Sequence, residues 1–304
     1  MDSEMTQAVS VIMPTRNRAA ILARCLESLG KIPRANAPAE IIVIDDSSSD
    51  RTPEVVRQFA KTTLIPVVLL RQEQALGANA ARNLGLQAAR GEIITFIDDD
   101  VIVPPDWLEK LVNGLLQSGC AAVSGAVRLT VDGPIVGKHR GEVGALLSEI
   151  LEAPRGADSK TVPVACNMAA FRWAFERARF DEAVRPPMEE NDWLERAGVT
   201  AAFLPDAWVW HYKTPEELRL KRVLTLAWRR GGEGGRWMRQ HLRANPRQRI
   251  RTALQSFETC GRGLGHAIAR QCWGGIVISL GEFARALALL GLVGRDARAP
   301  KSWR

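Results

Sequence analysis

Near its start the chain carries a short unbroken apolar run, VSVIMP at 9–14. Similar runs recur as EIIVID at 40–45, IPVVLL at 65–70 and EIITFI at 92–97. Runs of this length bounded by polar clusters read as buried strands. Between them the period becomes helical. Ile21, Leu22, Cys25, Leu26 and Leu29 fall on one face, and Gly30 supplies a stop. The polar turn SSSDR at 47–51 leads into a second helix, with Asp50 or Thr52 as cap and Pro53 at the first position. GANAARNLGLQAA at 77–89 predicts a third. Strands alternating with helices in this way predict an α/β fold with a mostly parallel sheet flanked by helices.

In such a sheet ligands bind beyond the carboxyl ends of the strands. Three polar clusters obey that rule: Pro14-Thr15-Arg16-Asn17-Arg18, Asp45-Asp46-Ser47 and Asp98-Asp99-Asp100. The third poses a physical question, because adjacent carboxylates repel unless cations neutralise them. A triplet at a strand end is either a solvated turn or a cation site, and its place at the ligand edge favours the cation. No GxGxxG follows the first strand and no GxxxxGK[ST] occurs, which argues against a dinucleotide fingerprint and a P-loop.

The later pattern differs. PEELRLKRVLTLAWRR at 215–230 reads as a helix starting at Pro215, with Leu220, Val223, Leu224, Ala227 and Trp228 on one face and Arg222 and Arg229 opposite. GGEGG at 231–235 is expected to break it. A second basic segment holds Trp237, Arg239, Arg243, Arg247, Arg249 and Arg251, and a last apolar run at 272–293 is interrupted by Glu282 and Arg285. That interruption leaves no clean membrane-spanning stretch.

Composition sharpens this division. The net charge of +7 conceals 19 Lys and Arg against 6 Asp and Glu in 213–304, but 22 against 28 in 1–212. A basic helical region beside an acidic one suggests two parts with different partners. Basic amphipathic helices with tryptophans fit an anionic membrane surface; a helical cap on the first part fits equally. No zinc-finger, RNP or basic-zipper pattern supports nucleic acid as a partner. Five scattered cysteines, Cys25, Cys120, Cys166, Cys260 and Cys272, show no CxxC spacing, which points to a reducing compartment. The first ten residues, MDSEMTQAVS, lack the features of a secretory signal. The expected location is cytoplasmic, peripheral on the cytoplasmic face of a membrane.

VSVIMPTRNRAAILARCLESL, EIIVIDDSSSDRT, GANAARNLGLQAARGEIITFIDDD and PPDWLEKLV, in this order and spacing, resemble the nucleotide-sugar domain of family 2 glycosyltransferases, of GT-A fold. ACNMAAFR, EENDWLERAG and FLPDAWVWH resemble its acceptor half. The resemblance spans 9 to about 212. It implies a catalytic domain at 1–212, followed by the basic, mainly helical region at 213–304. The implied reaction is sugar transfer from a nucleotide-diphosphate sugar, UDP-linked in expectation, to a hydroxyl of a glycan or lipid-linked acceptor.

The resemblance also assigns roles. Pro14, Thr15, Asn17 and Arg18 match the loop lining the nucleotide, Asp46 and Asp45 the acids at the base edge, and Arg82 a residue near the nucleotide. The carboxylate triplet matches the Asp-x-Asp motif, which holds Mn2+ or Mg2+ against the diphosphate. Asp100 is then the metal ligand, Asp98 faces the ribose or the metal through water, and Asp99 leaves the register open by one. His211 matches a histidine that completes the metal site. Glu190 stands where the family carries its base, as a Glu in place of Asp, and Asp192 is the fallback. A single displacement with such a base inverts the anomeric centre. Asn167 and Met168 shape the acceptor side. The family's Gly-Gly-Phe is absent, and ARFDEAVRPP at 178–187 stands in its place. Two other readings remain: a nucleotidyltransferase, whose Gly-rich loop after the first strand is missing, and a non-catalytic sugar-nucleotide-binding, membrane-associated protein.

Overall fold

The computed structural model describes residues 7–131, 150, 161–241, 245–269, 273–290 and 292. The chain divides into two compact units, the first comprising 1–128, 150–183 and 189–212, the second 129–149, 184–188 and 213–304.

The alternating pattern of the first unit folds as β1 (Val9–Thr15), α1 (Ala19–Leu29), β2 (Glu40–Asp45), α2 (Thr52–Thr62), β3 (Val67–Arg71), α3 (Ala78–Ala88) and β4 (Ile93–Ile97). β1 pairs in parallel with both β2 and β4, and β2 with β3. The short β5 (Val101–Ile102), α4 (Trp107–Ser118), β6 (Ala122–Val131), β7 (Asn167–Phe171), α5 (Arg172–Arg177), α6 (Glu189–Ala197) and β8 (Ala201–Lys213) follow. β7 lies antiparallel to β4 and β6, and β5 antiparallel to β8. The eight strands run in the order β3-β2-β1-β4-β7-β6-β8-β5. The result is a mixed α/β sheet, parallel in its first half and flanked by helices. β1, β2 and β4 are mostly apolar and almost wholly buried because both faces are covered.

Each face has its own core. Leu22, Cys25 and Leu26 of α1, Val56 of α2 and Trp107, Leu108 and Leu111 of α4 pack on one. Ala81 and Leu86 of α3, Phe175 of α5 and Trp193 of α6 pack on the other, where Phe96 meets Phe175 and Phe180 edge to face. β1 stops at Thr15 because the next turn needs a left-handed residue: Asn17 has φ 52° and Ser47, after β2, has φ 61°. The two turns bond to each other. Ser48 Oγ accepts from the Asn17 amide at 2.8 Å, and Asn17 Oδ1 accepts from the Ser49 amide at 2.7 Å.

In the second unit α7 (Leu220–His241), α8 (Pro246–Ala269) and α9 (Trp273–Leu290) follow one another. Two expectations are corrected here. The segment from Pro215 is a capped turn, in which Thr214 and Glu217 bond reciprocally, and the helix begins only at Leu220. GGEGG does not break α7, which runs through it. The glycines serve close packing instead: a Cβ on Gly231 would lie 1.9 Å from the Gly281 carbonyl oxygen, and one on Gly235 2.3 Å from that of Arg285. Two helix backbones meet where side chains would hold them apart, which outweighs the poor helix propensity of glycine. Among the described residues no helix is long and apolar enough to cross a membrane.

Candidate active site

β4 ends at Ile97, and the next three residues turn the chain back into β5. The Val101 amide donates to the Asp98 carbonyl at 3.2 Å, which closes the turn. Asp98 meets Arg82, whose Nη2 lies 3.3 Å from Oδ1. Asp99 is buried, and its Oδ2 accepts from Thr15 Oγ1 at 2.7 Å. Asp100 faces β8, where His211 Nε2 is 2.8 Å from its Oδ1. The register Val101↔His211 between β5 and β8 puts the imidazole there, and the Tyr212 amide donates to the Asp100 carbonyl at 2.7 Å.

Arg18 closes the cluster from β1's side. Its Nη1 lies 3.0 Å from Asp99 Oδ1 and 2.9 Å from Asp100 Oδ2. Burial pushes the Asp99 carboxyl up to about 6; Arg18 opposes that shift and Asp100 adds to it. Beneath the turn, burial raises the Cys25 thiol well above its usual range, helped by Asp99 and Asp100, so it stays a neutral core group.

Asp98, Asp100 and His211 each offer one ligand atom, and these atoms lie within 4.8 Å of one another. Two carboxylates and an imidazole fit a divalent cation, and the nitrogen favours Mn2+ over Mg2+. The triplet's register is therefore geometric: the first and third carboxylates converge with the histidine, while the middle one turns inward to Thr15 and Arg18.

Around this centre, Pro14 is half-buried in β1, paired with Ile44 of β2. Asp45 is fully buried, accepts from the Ser48 amide at 2.9 Å and pairs with Arg71 at 3.2 Å. Asp46 accepts from the amides of Leu76 and Gly77 at 2.7 and 3.0 Å, which ties the loop before α3 to the end of β2. Arg82 is buried between acids, 3.6 Å from Glu189 and with Asn79 Oδ1 at 3.1 Å. Burial disfavours its charge, but Asp98, Glu189 and Glu190 hold the guanidinium protonated.

Glu190 sits in the first turn of α6, and its Oε1 accepts from the Ala165 amide at 2.9 Å. Burial and the neighbouring Glu189 push its carboxyl up to about 8. Asp192 is set apart. Residues two apart on a helix do not share a face, and its Oδ2 takes two bonds from Arg196, one turn on. Asn167 and Met168 have no exposed surface. Asn167 joins three elements, accepting from Trp107 Nε1 at 2.8 Å and donating to the carbonyls of Ala126 and Ala207 at 3.0 and 2.8 Å. Met168 packs against the aromatic core. Neither presents an atom to a ligand, so whatever they contribute to an acceptor pocket acts through the walls they hold.

Sequence reasoning passed over Glu189, Asn79 and Asn83. Asn83 anchors the 180–182 segment through bonds to Phe180 and Glu182. The signal was present: Asn79, Arg82 and Asn83 fall at helical i, i+3 and i+4.

The model of the glycosyl transferase family 2 matches residues 10–179. The glycosyltransferase AglE of Haloferax volcanii is 34% identical over 122 residues, 40% of this chain and 40% of that protein. The UDP-Glc:alpha-D-GlcNAc-diphosphoundecaprenol beta-1,3-glucosyltransferase WfgD of Escherichia coli is 35% identical over 130 residues, 43% of this chain and 49% of that one. The chain thus spans less than half the length of these relatives. Among solved structures, the mannosyltransferase PcManGT of Pyrobaculum calidifontis, in complex with GDP-Man and Mn2+, superposes with a TM-score of 0.64 at 20% identity, over 95% of this chain and 88% of that one. The family match covers more than half of the chain, from β1 through the carboxylate turn to α5, and the chain belongs to glycosyl transferase family 2.

Proposed function

We propose that this enzyme is an inverting, metal-dependent glycosyltransferase, with residues 1–212 as its catalytic domain. It moves a sugar from a UDP-linked donor to a hydroxyl of a glycan or lipid-linked acceptor. The observation that carries this reading is the convergence of Asp98, Asp100 and His211 at the carboxyl edge of the parallel strands in a family 2 chain. The names of WfgD and PcManGT support a nucleotide-sugar donor, and WfgD's supports a lipid-linked acceptor.

Asp98, Asp100 and His211 would hold Mn2+ or Mg2+, which supplies a Lewis acid against the charge of the leaving diphosphate. The chain's own groups do the rest. Pro14, Thr15, Asn17 and Arg18 line the nucleotide. Asp46 faces the base, and each of its oxygens keeps a lone pair beyond the loop amide it accepts, while the fully buried Asp45 holds the turn behind it through the Ser48 amide and Arg71. Arg82 steadies Asp98 on the donor side.

Glu190 takes the proton from the attacking hydroxyl. Its Oε1 is fixed by the Ala165 amide. A carboxylate held this way accepts a proton readily, since its raised pKa makes it a stronger base. The attack comes from the face opposite the leaving group, so the anomeric centre inverts. The basic helices of 213–304 bring the enzyme to an anionic membrane surface carrying the acceptor, on the cytoplasmic side.

Calorimetry with UDP and with GDP, with and without Mn2+, tests the centre. Asp100→Ala is expected to lose metal-dependent nucleotide affinity on the order of a hundredfold while keeping its fold, since even groups that only orient metal ligands are worth 10–100-fold. Unchanged affinity in the folded variant refutes the metal assignment. Tighter binding of GDP than UDP replaces the donor base.

A further inference from the structure

β8 carries Trp208 and Trp210 in alternation with core positions. Ala207, Val209 and His211 are buried, while Trp208 and Trp210 are half-buried and stand on the other face. Their rings meet edge to face at 5.3 Å. Arg128 of β6 lies over the Trp208 ring, its guanidinium carbon 4.3 Å from the centroid. It makes no ion pair with any described residue. The register identifies the face. Ser124 of β6 pairs with Met168 of β7, whose side chain packs with Trp193 of α6. Arg128 is four residues along from Ser124, on the same side. The two indoles and the guanidinium therefore share the sheet face that carries α6 and Glu190.

Among the described residues, the apolar cluster of that face contains neither tryptophan. The chemistry of the pair fits one class of ligand. An indole face is electron-rich and attracts the weakly positive C–H groups of a pyranose ring. A guanidinium stacked on an aromatic ring keeps its in-plane N–H donors for a carboxylate or phosphoryl group.

We infer that Trp208, Trp210 and Arg128 form a subsite for an anionic sugar ring, with the pyranose on the Trp210 indole and its acidic substituent at Arg128. Resting on the glycosyltransferase reading above, the inference places a negatively charged sugar unit of the acceptor here, away from the donor. A uronic carboxylate and a sugar phosphate share this chemistry.

The test uses the full chain without nucleotide or metal and follows binding by saturation-transfer NMR and calorimetry. The probes are methyl glucuronoside, glucose 1-phosphate, methyl glucoside and inorganic phosphate. At least one anionic pyranoside is expected to bind about tenfold or more tightly than the neutral one. Glucuronoside alone identifies a carboxylate, glucose 1-phosphate alone a phosphoryl group, and binding of both supports the shared chemistry. Trp210→Ala abolishes binding, Trp210→Phe retains part of it, and Arg128→Gln removes the preference for the anion. Nucleotide binding with Mn2+, measured on the same variants, stays unchanged. That control separates the two readings: absence of sugar binding by the wild type overturns the subsite, and failure of nucleotide binding by the wild type overturns only the donor site. No pyranoside binding, binding indifferent to Trp210→Ala, or binding of inorganic phosphate without any sugar preference overturns the inference.

Discussion

Glu190 illustrates how one residue's surroundings set its chemistry. A carboxyl pushed up to about 8 is mostly protonated at neutral pH and works as a base only in its ionised fraction. In the free enzyme kcat/KM is therefore expected to rise about tenfold per pH unit below that value and to level above it. Stability runs the other way. The folded chain holds this proton from the ordinary 4.5 up to about 8 whereas the unfolded chain does not, so Glu190 costs stability as pH climbs through that window. Glu190→Gln mimics the protonated form and keeps an acceptor for the Ala165 amide. It is expected to retain Tm and nucleotide affinity, to lose transfer on the order of a hundredfold or more, and to lose the pH dependence of both. Normal transfer by Glu190→Gln together with an inactive Asp192→Asn would move the base to Asp192.

At the scale of elements, the first half of the sheet was readable from periodicity because β1, β2 and β4 are buried on both faces, the edge strand β3 is half-buried, and each helix shows one apolar stripe. The second half was not. β6, β7 and β8 are held by contacts that no local pattern encodes. Asn167 bonds backbone carbonyls in both β6 and β8, and Gly125 lets those strands close up. A Cβ at Gly125 would lie 1.6 Å from the Ala207 carbonyl oxygen and 2.5 Å from Asn167 Nδ2. Gly125→Ala is expected to cost about 3 kcal/mol or more, seen as a fall of several degrees in Tm; an unchanged melting curve would mean that the strands can part without loss. The same blindness explains α7. A run of glycines looks like a stop until the neighbouring helix that needs the space is known. In the site, the carboxylates and His211 were legible as residue types. Their convergence depends on the β5–β8 pairing, which joins positions 110 residues apart.

For the molecule as a whole, the described helices of 213–304 carry many of its basic residues and also expose apolar groups. Ile250, Leu254 and Phe283 are 50%, 62% and 40% exposed, and Arg247 and Arg251 lie beside the first two on α8. Each basic side chain near an anionic leaflet is worth about 1 kcal/mol and is screened within a Debye length, while inserted apolar groups are not screened. Co-sedimentation of the full chain with anionic vesicles is expected to weaken with salt without vanishing. With Ile250 and Leu254 changed to Ser, the salt-resistant part should fall. Absence of binding at low salt would refute the membrane role and leave the basic region as a solvated cap or as a site for an acidic protein partner.

Arg18 gives the carboxylate cluster an internal counter-ion before any ligand arrives. Metal entry is then an exchange of cations, opposed by a guanidinium that must find another anion. A nucleoside diphosphate offers that anion, so the two ligands should bind with positive linkage: each tightens the other by the same factor. Titrating Mn2+ with and without UDP, and UDP with and without Mn2+, measures that factor twice. In Arg18→Ala, Mn2+ alone should bind more tightly than in the wild type, and the factor should shrink. The expected consequence is a resting enzyme guarded against stray cations, with metal and donor taken up together.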